Sequence, residues 1–261
     1  MLLVDNGSLE AASTLQLRRL AAELERKVGM KVEPVSVAHS TKVPVEELEG
    51  RRAELLEEAL DRCVAEGVKD VIVAPLFVGP SYAIVRHVPA LVAQRGELRG
   101  RIAAPLFVEG ETRLAEILTE HVRAEVSAGM KVRVAVVDHG SPARGVTAVR
   151  DAVAAQVRES LGGDVMEVAA CSMERRAGEE FGFNEPLLEG LLARDGWQDG
   201  DVVVALLFIA PGKHAGPDGD VAQIVKRARG GRREGVRFTR TIGAHPVLVE
   251  ILAERVKAAA E

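Results

Sequence analysis

Aromatic residues are scarce in this 261-residue chain: one tryptophan, one tyrosine and six phenylalanines together make 3%. The core must therefore be built from aliphatic side chains, and with 47% of residues hydrophobic these are plentiful. Cysteine is nearly absent. Cys63 and Cys171 are too few and too far apart for a disulfide framework or a Cys-x-x-Cys metal site, and Cys63, inside a helical pattern, reads as an inert core thiol. No apolar run approaches the roughly 18–20 residues that span a bilayer, and the chain opens on an apolar strand with no basic leader. A soluble, cytoplasmic protein with no membrane partner is the expectation. Nor is there a basic excess, with 34 Lys and Arg against 39 Asp and Glu, so nucleic acid is not an expected partner. A G-x-G-x-x-G loop, a Walker A loop, a G-x-S-x-G elbow and an H-E-x-x-H helix are all missing, which leaves nucleotide binding and the common hydrolase chemistries without support.

What is present is a chain written twice. Leu3-Val4-Asp5-Asn6-Gly7-Ser8 returns as Val136-Val137-Asp138-His139-Gly140-Ser141, and Ala74-Pro75-Leu76-Phe77 returns as Ala205-Leu206-Leu207-Phe208. Ala115-Glu116-Ile117-Leu118 returns as Val249-Glu250-Ile251-Leu252, so the order of segments holds throughout. The period is far longer than the roughly 20–50 residues of a solenoid, and it marks a duplicated domain. We place the domains at residues 1–129 and 130–261, joined at Ser127-Ala128-Gly129-Met130 and expected to face each other across a cleft.

Within each half, short apolar runs alternate with longer segments of helical period, the pattern of a parallel sheet flanked by helices. Strands are expected at Leu2–Val4, Glu33–Ala38, Asp70–Phe77 and Arg101–Phe107, then at Arg133–Asp138, Asp164–Ala170, Asp201–Ile209 and Val236–Thr241. Helices are expected at 12–28, 45–66, 83–95 and 112–128, then at 145–161, 185–195, 219–229 and 246–259. The fold class is α/β, two tandem doubly wound parallel-sheet domains related by internal duplication.

Ligands of such sheets collect beyond the carboxyl ends of the strands. His139 follows the first strand of the second half and His214 follows the third, while the first half has Asn6 and Ala83 at these places. One histidine alone would read as a surface or capping residue. Two at the same sheet edge, both missing from the sister copy, point to metal binding or base chemistry near neutral pH. Glu174, in Met173-Glu174-Arg175-Arg176, lies at the same edge as a candidate third ligand or proton carrier, with Arg175 and Arg176 as candidate partners for substrate carboxylates. His39 is read as occupying the matching place in the first half, with Ser40 opposite Ser172; Asp218 is read as orienting His214 or capping the next helix. His245, before Pro246, reads as a helix cap.

These residues resemble the class II sirohydrochlorin chelatases, the cobaltochelatases and ferrochelatases of cobalamin and sirohaem synthesis. The resemblance rests on Asp138-His139-Gly140-Ser141, on Pro211-Gly212-Lys213-His214 with Asp218 four residues on, and on Ile242-Gly243-Ala244-His245-Pro246, and it spans the chain as two copies. It implies insertion of a divalent metal, Co²⁺ or Fe²⁺ with Ni²⁺ as a further choice, into sirohydrochlorin or a related tetrapyrrole in a cleft between the domains. His139, His214 and Glu174 would hold the metal and take up the pyrrole protons; Ser141, Arg175, Arg176, Lys213 and His39 would contact the macrocycle. The metal would be a substrate, and no organic cofactor is implied. Phe181, Phe183 and Phe208 would be the few aromatics available to the ring face. The first half, with Asn6 for the first histidine and Tyr82 or Ala83 for the second, departs from the family pattern, so one site per chain is expected. Well-known two-domain members keep the site in the first half. The alternative function is a non-catalytic tetrapyrrole or metal carrier, and the oligomeric state is left open, a monomer sufficing.

Overall fold

The computed structural model describes residues 1–127, 129–232 and 234–261. The aliphatic runs form two four-stranded parallel sheets. The first contains β1 (Leu2–Asp5), β2 (Glu33–Ser36), β3 (Asp70–Pro75) and β4 (Arg99–Ile102) in the order β2-β1-β3-β4. The second contains β5 (Val132–Asp138), β6 (Glu167–Ser172), β7 (Asp201–Leu206) and β8 (Val236–Phe238) in the order β6-β5-β7-β8. The α/β duplication is thus present as expected, with successive strands added first on one side and then on the other of β1 and of β5. The central strands are buried on both faces, as parallel sheets require: Leu3, Val4, Val134–Val137 and Val202–Ala205 are all fully buried.

The helices are α1 (Ala11–Val28), α2 (Leu56–Ala65), α3 (Val88–Ala93), α4 (Arg113–Glu125), α5 (Arg144–Leu161), α6 (Leu188–Leu192), α7 (Asp220–Ala228) and α8 (Val247–Ala260). Leu2, Val4, Val71 and Val73 pack under α2 and α3, while α1 and α8 pack on each other and on the strands from the other face. In the second unit Val137, Cys171, Val202 and Val204 pack under α6, α7 and Trp197, and α4 and α5 pair with each other. Cys63 and Cys171 are buried free thiols, and burial pushes both above the ordinary thiol range.

The structure trims several sequence expectations. Strands stop at Ser36, Pro75, Leu206 and Phe238 rather than running to 38, 77, 209 and 241, because the chain leaves the ladder where the neighbouring strands end. The fourth strand is Arg99–Ile102 instead of 101–107, and the sixth is shifted to Glu167–Ser172 by a short 3₁₀ turn at Gly162–Asp164. The expected helix 45–66 is broken by Glu49 and Gly50, which both take left-handed φ values, into a 3₁₀ turn at Val45–Leu48 and α2. The 83–95 helix begins as a π-turn over Ala83–His87; Pro89, which has no N–H to donate, sits just beyond it. The 185–195 helix shrinks to α6, since Pro186 lies in an extended lead-in. The expected 112–128 helix ends at Glu125, where Val126 is already extended; Ala128 lies outside the described residues.

The compact packing units divide the chain differently from the sequence repeat: they are Met1–Glu109 with Pro246–Glu261, and Gly110–His245, whereas the repeat runs over residues 1–129 and 130–261. Each half gives up its last helix: α4 packs on α5 and β7, and α8 packs on α1, β3 and β4. The exchange is symmetric. Phe107 donates its N–H to Val78 and Gly243 donates to Ile209, so Glu109 and His245, where the chain changes unit, are equivalent positions. Sequence period cannot see this, because either helix presents the same apolar stripe to either sheet.

In α8, Leu248, Ile251, Leu252 and Val256 are at most 1% exposed. At about 1.5–3 kcal/mol for each buried aliphatic side chain, this stripe is comparable with the whole stability of a typical domain. A chain ending at His245 is therefore expected to lose amide protection across β1–β4 and keep it across β5–β8. Hydrogen exchange read by mass spectrometry checks this, and loss confined to β5–β8 would refute the exchange.

Candidate active site

The carboxyl end of β5 is where the side chains gather. Asp138 is 6% exposed and accepts hydrogen bonds from the Gly140 N–H at 3.1 Å and the Ser172 hydroxyl at 2.6 Å. Burial raises its pKa, while the Ser172 bond and the nearby Arg150 guanidinium oppose the rise. Arg150, 2% exposed on α5, donates to the Ser172 hydroxyl at 2.6 Å and to the Asn184 carbonyl at 2.9 Å. Asn184, fully buried, accepts from the Ser141 N–H at 2.9 Å and donates to the Ser141 carbonyl at 3.0 Å. The turn 139–141 is thus held from both sides by buried, hydrogen-bonded polar groups, the condition under which such groups rigidify a loop.

That turn presents His139. Its Nδ1 lies 3.0 Å from the Gly140 carbonyl, and its Nε2 lies 3.6 Å from Glu174 Oε1. The Glu174 N–H donates to the His139 carbonyl at 3.2 Å, which continues the β5–β6 pairing past the last ladder residue. His214 comes from the loop after β7. Its Nδ1 lies 2.7 Å from Asp220 Oδ2, and its ring stands edge-on to His139 with centroids 4.6 Å apart. An Nδ1–H donated to the Gly140 carbonyl and another donated to Asp220 leave both Nε2 lone pairs for a proton or a metal.

Sequence reasoning read Asp218 as orienting His214 or capping the next helix. The structure gives Asp220. Gly216 donates to the Gly212 carbonyl and Gly219 to the Gly216 carbonyl, and this double turn carries residue 220 back so that its N–H meets the Lys213 carbonyl. Gly219 is needed there, since a Cβ would lie 2.6 Å from the Lys213 carbonyl oxygen. The first-half correspondence also shifts. Asp5 pairs with Ser36 as Asp138 pairs with Ser172, so Ser36, not Ser40, is opposite Ser172; Ala38 is opposite Glu174, and His39 falls opposite Arg175. His245 does not cap α8, whose start has no side-chain cap; its ring turns to Glu120 at 3.2 Å and stands against His121.

Of the remaining expected residues, Ser141 lies in the turn itself, where its hydroxyl accepts from the Ala143 N–H at 3.1 Å. Lys213 is exposed next to His214, and Arg176 is exposed beyond Glu174. Arg175 is bound to Glu185 at 2.7 Å and to the Gly178 carbonyl at 3.0 Å, so it braces its own loop. Phe181 and Phe183 form an edge-on pair in the 3₁₀ turn Glu179–Asn184, and Phe208 packs against the core of its unit. His39 lies in the other compact unit. Among the described residues, no three His, Cys, Asp or Glu side chains are gathered tightly enough to hold a metal ion. The site therefore offers two open imidazoles, each with a carboxylate beside it, Glu174 at His139 and Asp220 at His214, unlike the closed four-ligand cage of a structural metal. Arg150, Asn184 and Asp220 were missed by sequence reasoning. Only Arg150 left a signal, as a charged residue at the position where α1 has Leu17 on its apolar face.

A family profile, CbiX, matches residues 1–125 and again residues 133–259. The chain belongs to the CbiX family. No curated protein matches it in sequence. Among solved structures it is similar to SirB from Bacillus subtilis with Fe³⁺, at TM-score 0.71 and 15% identity over 99% of this chain and 94% of that one. SirB from Bacillus subtilis subspecies spizizenii, a sirohydrochlorin chelatase in complex with cobalt, matches at TM-score 0.71 and 14% identity over the same shares. CbiX, described as the terminal enzyme for biosynthesis of sirohaem in denitrifying bacteria, matches at TM-score 0.64 and 15% identity over 99% of this chain and 97% of that one. No helix among the described residues of this CbiX-family chain is long and apolar enough to cross a membrane.

The turn beneath His139 makes a sharp prediction. Gly140 has φ 90°, and a Cβ there would lie 1.9 Å from the Glu174 carbonyl oxygen, a backbone atom. Gly110 has a similar φ of 82° with nothing near its Cβ direction. Gly110→Ala is expected to cost about 1 kcal/mol of backbone strain, whereas Gly140→Ala costs about 3 kcal/mol or more in chemical denaturation. Equal losses would contradict the close approach.

Proposed function

We propose that this protein inserts a divalent metal, Co²⁺ or Fe²⁺, into sirohydrochlorin or a closely related tetrapyrrole, using the imidazole pair of its second unit. The observation that carries the reading is the pair itself: His139 and His214 edge-on at 4.6 Å, each with Nδ1 held and Nε2 open. Metal insertion replaces two pyrrole N–H bonds by metal–nitrogen bonds and releases two protons. Two adjacent imidazoles can each accept one, and Asp220, hydrogen-bonded to the His214 Nδ1, holds that ring so that its Nε2 is left to take the proton. Glu174, 61% exposed by side chain and 3.6 Å from His139, is placed to accept a proton from that ring and pass it to solvent. The open donor set suits a metal that is cargo, since a cage with four protein ligands would retain it. Family membership, and the iron and cobalt held by the similar SirB structures, support the same reading.

The chemistry is checked by mixing the protein anaerobically with sirohydrochlorin and Co²⁺, Fe²⁺ or Ni²⁺ and following the visible spectrum. Many equivalents are expected to convert, with His139→Ala and His214→Ala each lowering the rate at least about 100-fold. Asp220→Asn, which loosens His214 without removing it, is expected to lower the rate by about 10–100-fold. Stoichiometric binding with no conversion by any of the three metals would replace this reading with that of a carrier.

A further inference from the structure

Beyond the histidine site, the first unit contains a second built feature. Between α1, the end of β2 and the segment 51–54 lies a cavity of about 70 Å³, lined by Thr14, Arg18, Ser36, Arg51, Arg52 and Glu54. The space exceeds the roughly 10–15 Å³ that one water needs. Thr14 is 4% exposed, and its buried hydroxyl has no hydrogen-bond partner. Of the charged groups, Arg52 is paired with Glu58 at 2.9 Å and Glu54 with Arg62 at 3.0 Å. Arg18 donates only to the carbonyls of Leu48 and Arg51, and neither it nor Arg51 has a carboxylate partner among the described residues. Two guanidinium groups with no carboxylate in direct contact among the described residues thus line this cavity, Glu49 acting on Arg18 only at longer range.

The sister copy shows what normally fills the place. Ser36 bridges to Leu55 as Ser172 bridges to Leu187, so Arg52 is equivalent to Asn184 and Arg51 to Phe183; along the helices Leu17 is equivalent to Arg150 and Thr14 to Thr147. In the second unit the Arg150 guanidinium occupies this space, bound to Ser172 and Asn184, and the Thr147 hydroxyl donates to Asn184 at 3.2 Å. In the first unit Leu17 is too short and apolar to do this, and Arg52 turns away to Glu58. The hydroxyl is left without its partner and the space is open, now edged by cations where the sister copy has an asparagine and a phenylalanine.

We propose that this cavity is a binding site for a small oxyanion of the phosphate or sulfate class. Such an ion accepts from the Thr14 hydroxyl and compensates Arg18 and Arg51 with charge-assisted hydrogen bonds, which are worth about twice a neutral one. It is independent of metal insertion, since it lies in the unit that lacks the histidine pair.

Titration calorimetry of the intact protein with inorganic phosphate at constant ionic strength, with chloride as control, is the test. One saturable site per chain is expected, kept in His139→Ala. Arg51→Ala, at an exposed position, is expected to weaken it about tenfold or more, and Leu17→Arg, which installs the sister copy's side chain, to abolish it. Thermal unfolding of each variant without phosphate separates lost binding from lost fold, and Arg51→Ala decides if Leu17→Arg does not fold. No saturable phosphate binding, or an affinity that Arg51→Ala leaves unchanged, would overturn the proposal.

Discussion

A buried carboxylate at the end of the central strand is the constraint on which the site depends. Asp138 is largely buried, so its carboxylate draws donors from within, and those its Oδ1 finds are the Gly140 N–H and the Ser172 hydroxyl. Those two bonds set the path of the turn, the path forces a glycine with positive φ, and the glycine lets the turn pass against the Glu174 carbonyl. His139 and Glu174 face each other because the turn fixed by those bonds runs against the Glu174 backbone, whose N–H donates to the His139 carbonyl. Arg150 and Asn184 close the arrangement from behind.

The same frame in the first unit shows that frame and chemistry are separable. Asp5 accepts from the Gly7 N–H at 3.0 Å and the Ser36 hydroxyl at 2.7 Å, and a Cβ on Gly7 would meet the Ala38 carbonyl as one on Gly140 would meet that of Glu174. Burial pushes Asp5 up to about 6, and among the described residues no guanidinium opposes the rise as Arg150 does for Asp138. Backbone geometry survived duplication while side chains diverged: Asn6 for His139, Ala83 for His214, Ala38 for Glu174, Leu17 for Arg150. The second copy adds the imidazoles together with the buried cation behind them.

Much of this was legible in the sequence, for stated reasons. All eight strands were placed, because a strand buried on both faces must be a short apolar run and little else in a soluble domain looks like one. His139 and His214 were found by comparing the copies and by the rule that ligands gather at strand ends. Three things were not legible. The exchange of α4 and α8 leaves no mark, since an amphipathic stripe does not name its sheet. Asp220 was hidden because the double turn after Gly212 decides which of two nearby aspartates returns to His214, and that is set by hydrogen bonds between backbone groups. Asn184 was hidden because its partner, Ser141, lies 43 residues away.

The central claim is that reactivity resides in the imidazole pair of one copy only. Anaerobic titration with Co²⁺, followed by the ligand-field absorption of the bound ion, tests it most directly on the wild type, on His139→Asn and on His214→Ala. His139→Asn gives the second copy the residue that the first carries. The account predicts one nitrogen-ligated cobalt per chain in the wild type and loss of that spectrum in both variants. Two cobalt sites per chain, or a spectrum unchanged by either substitution, would place the metal chemistry elsewhere and contradict it.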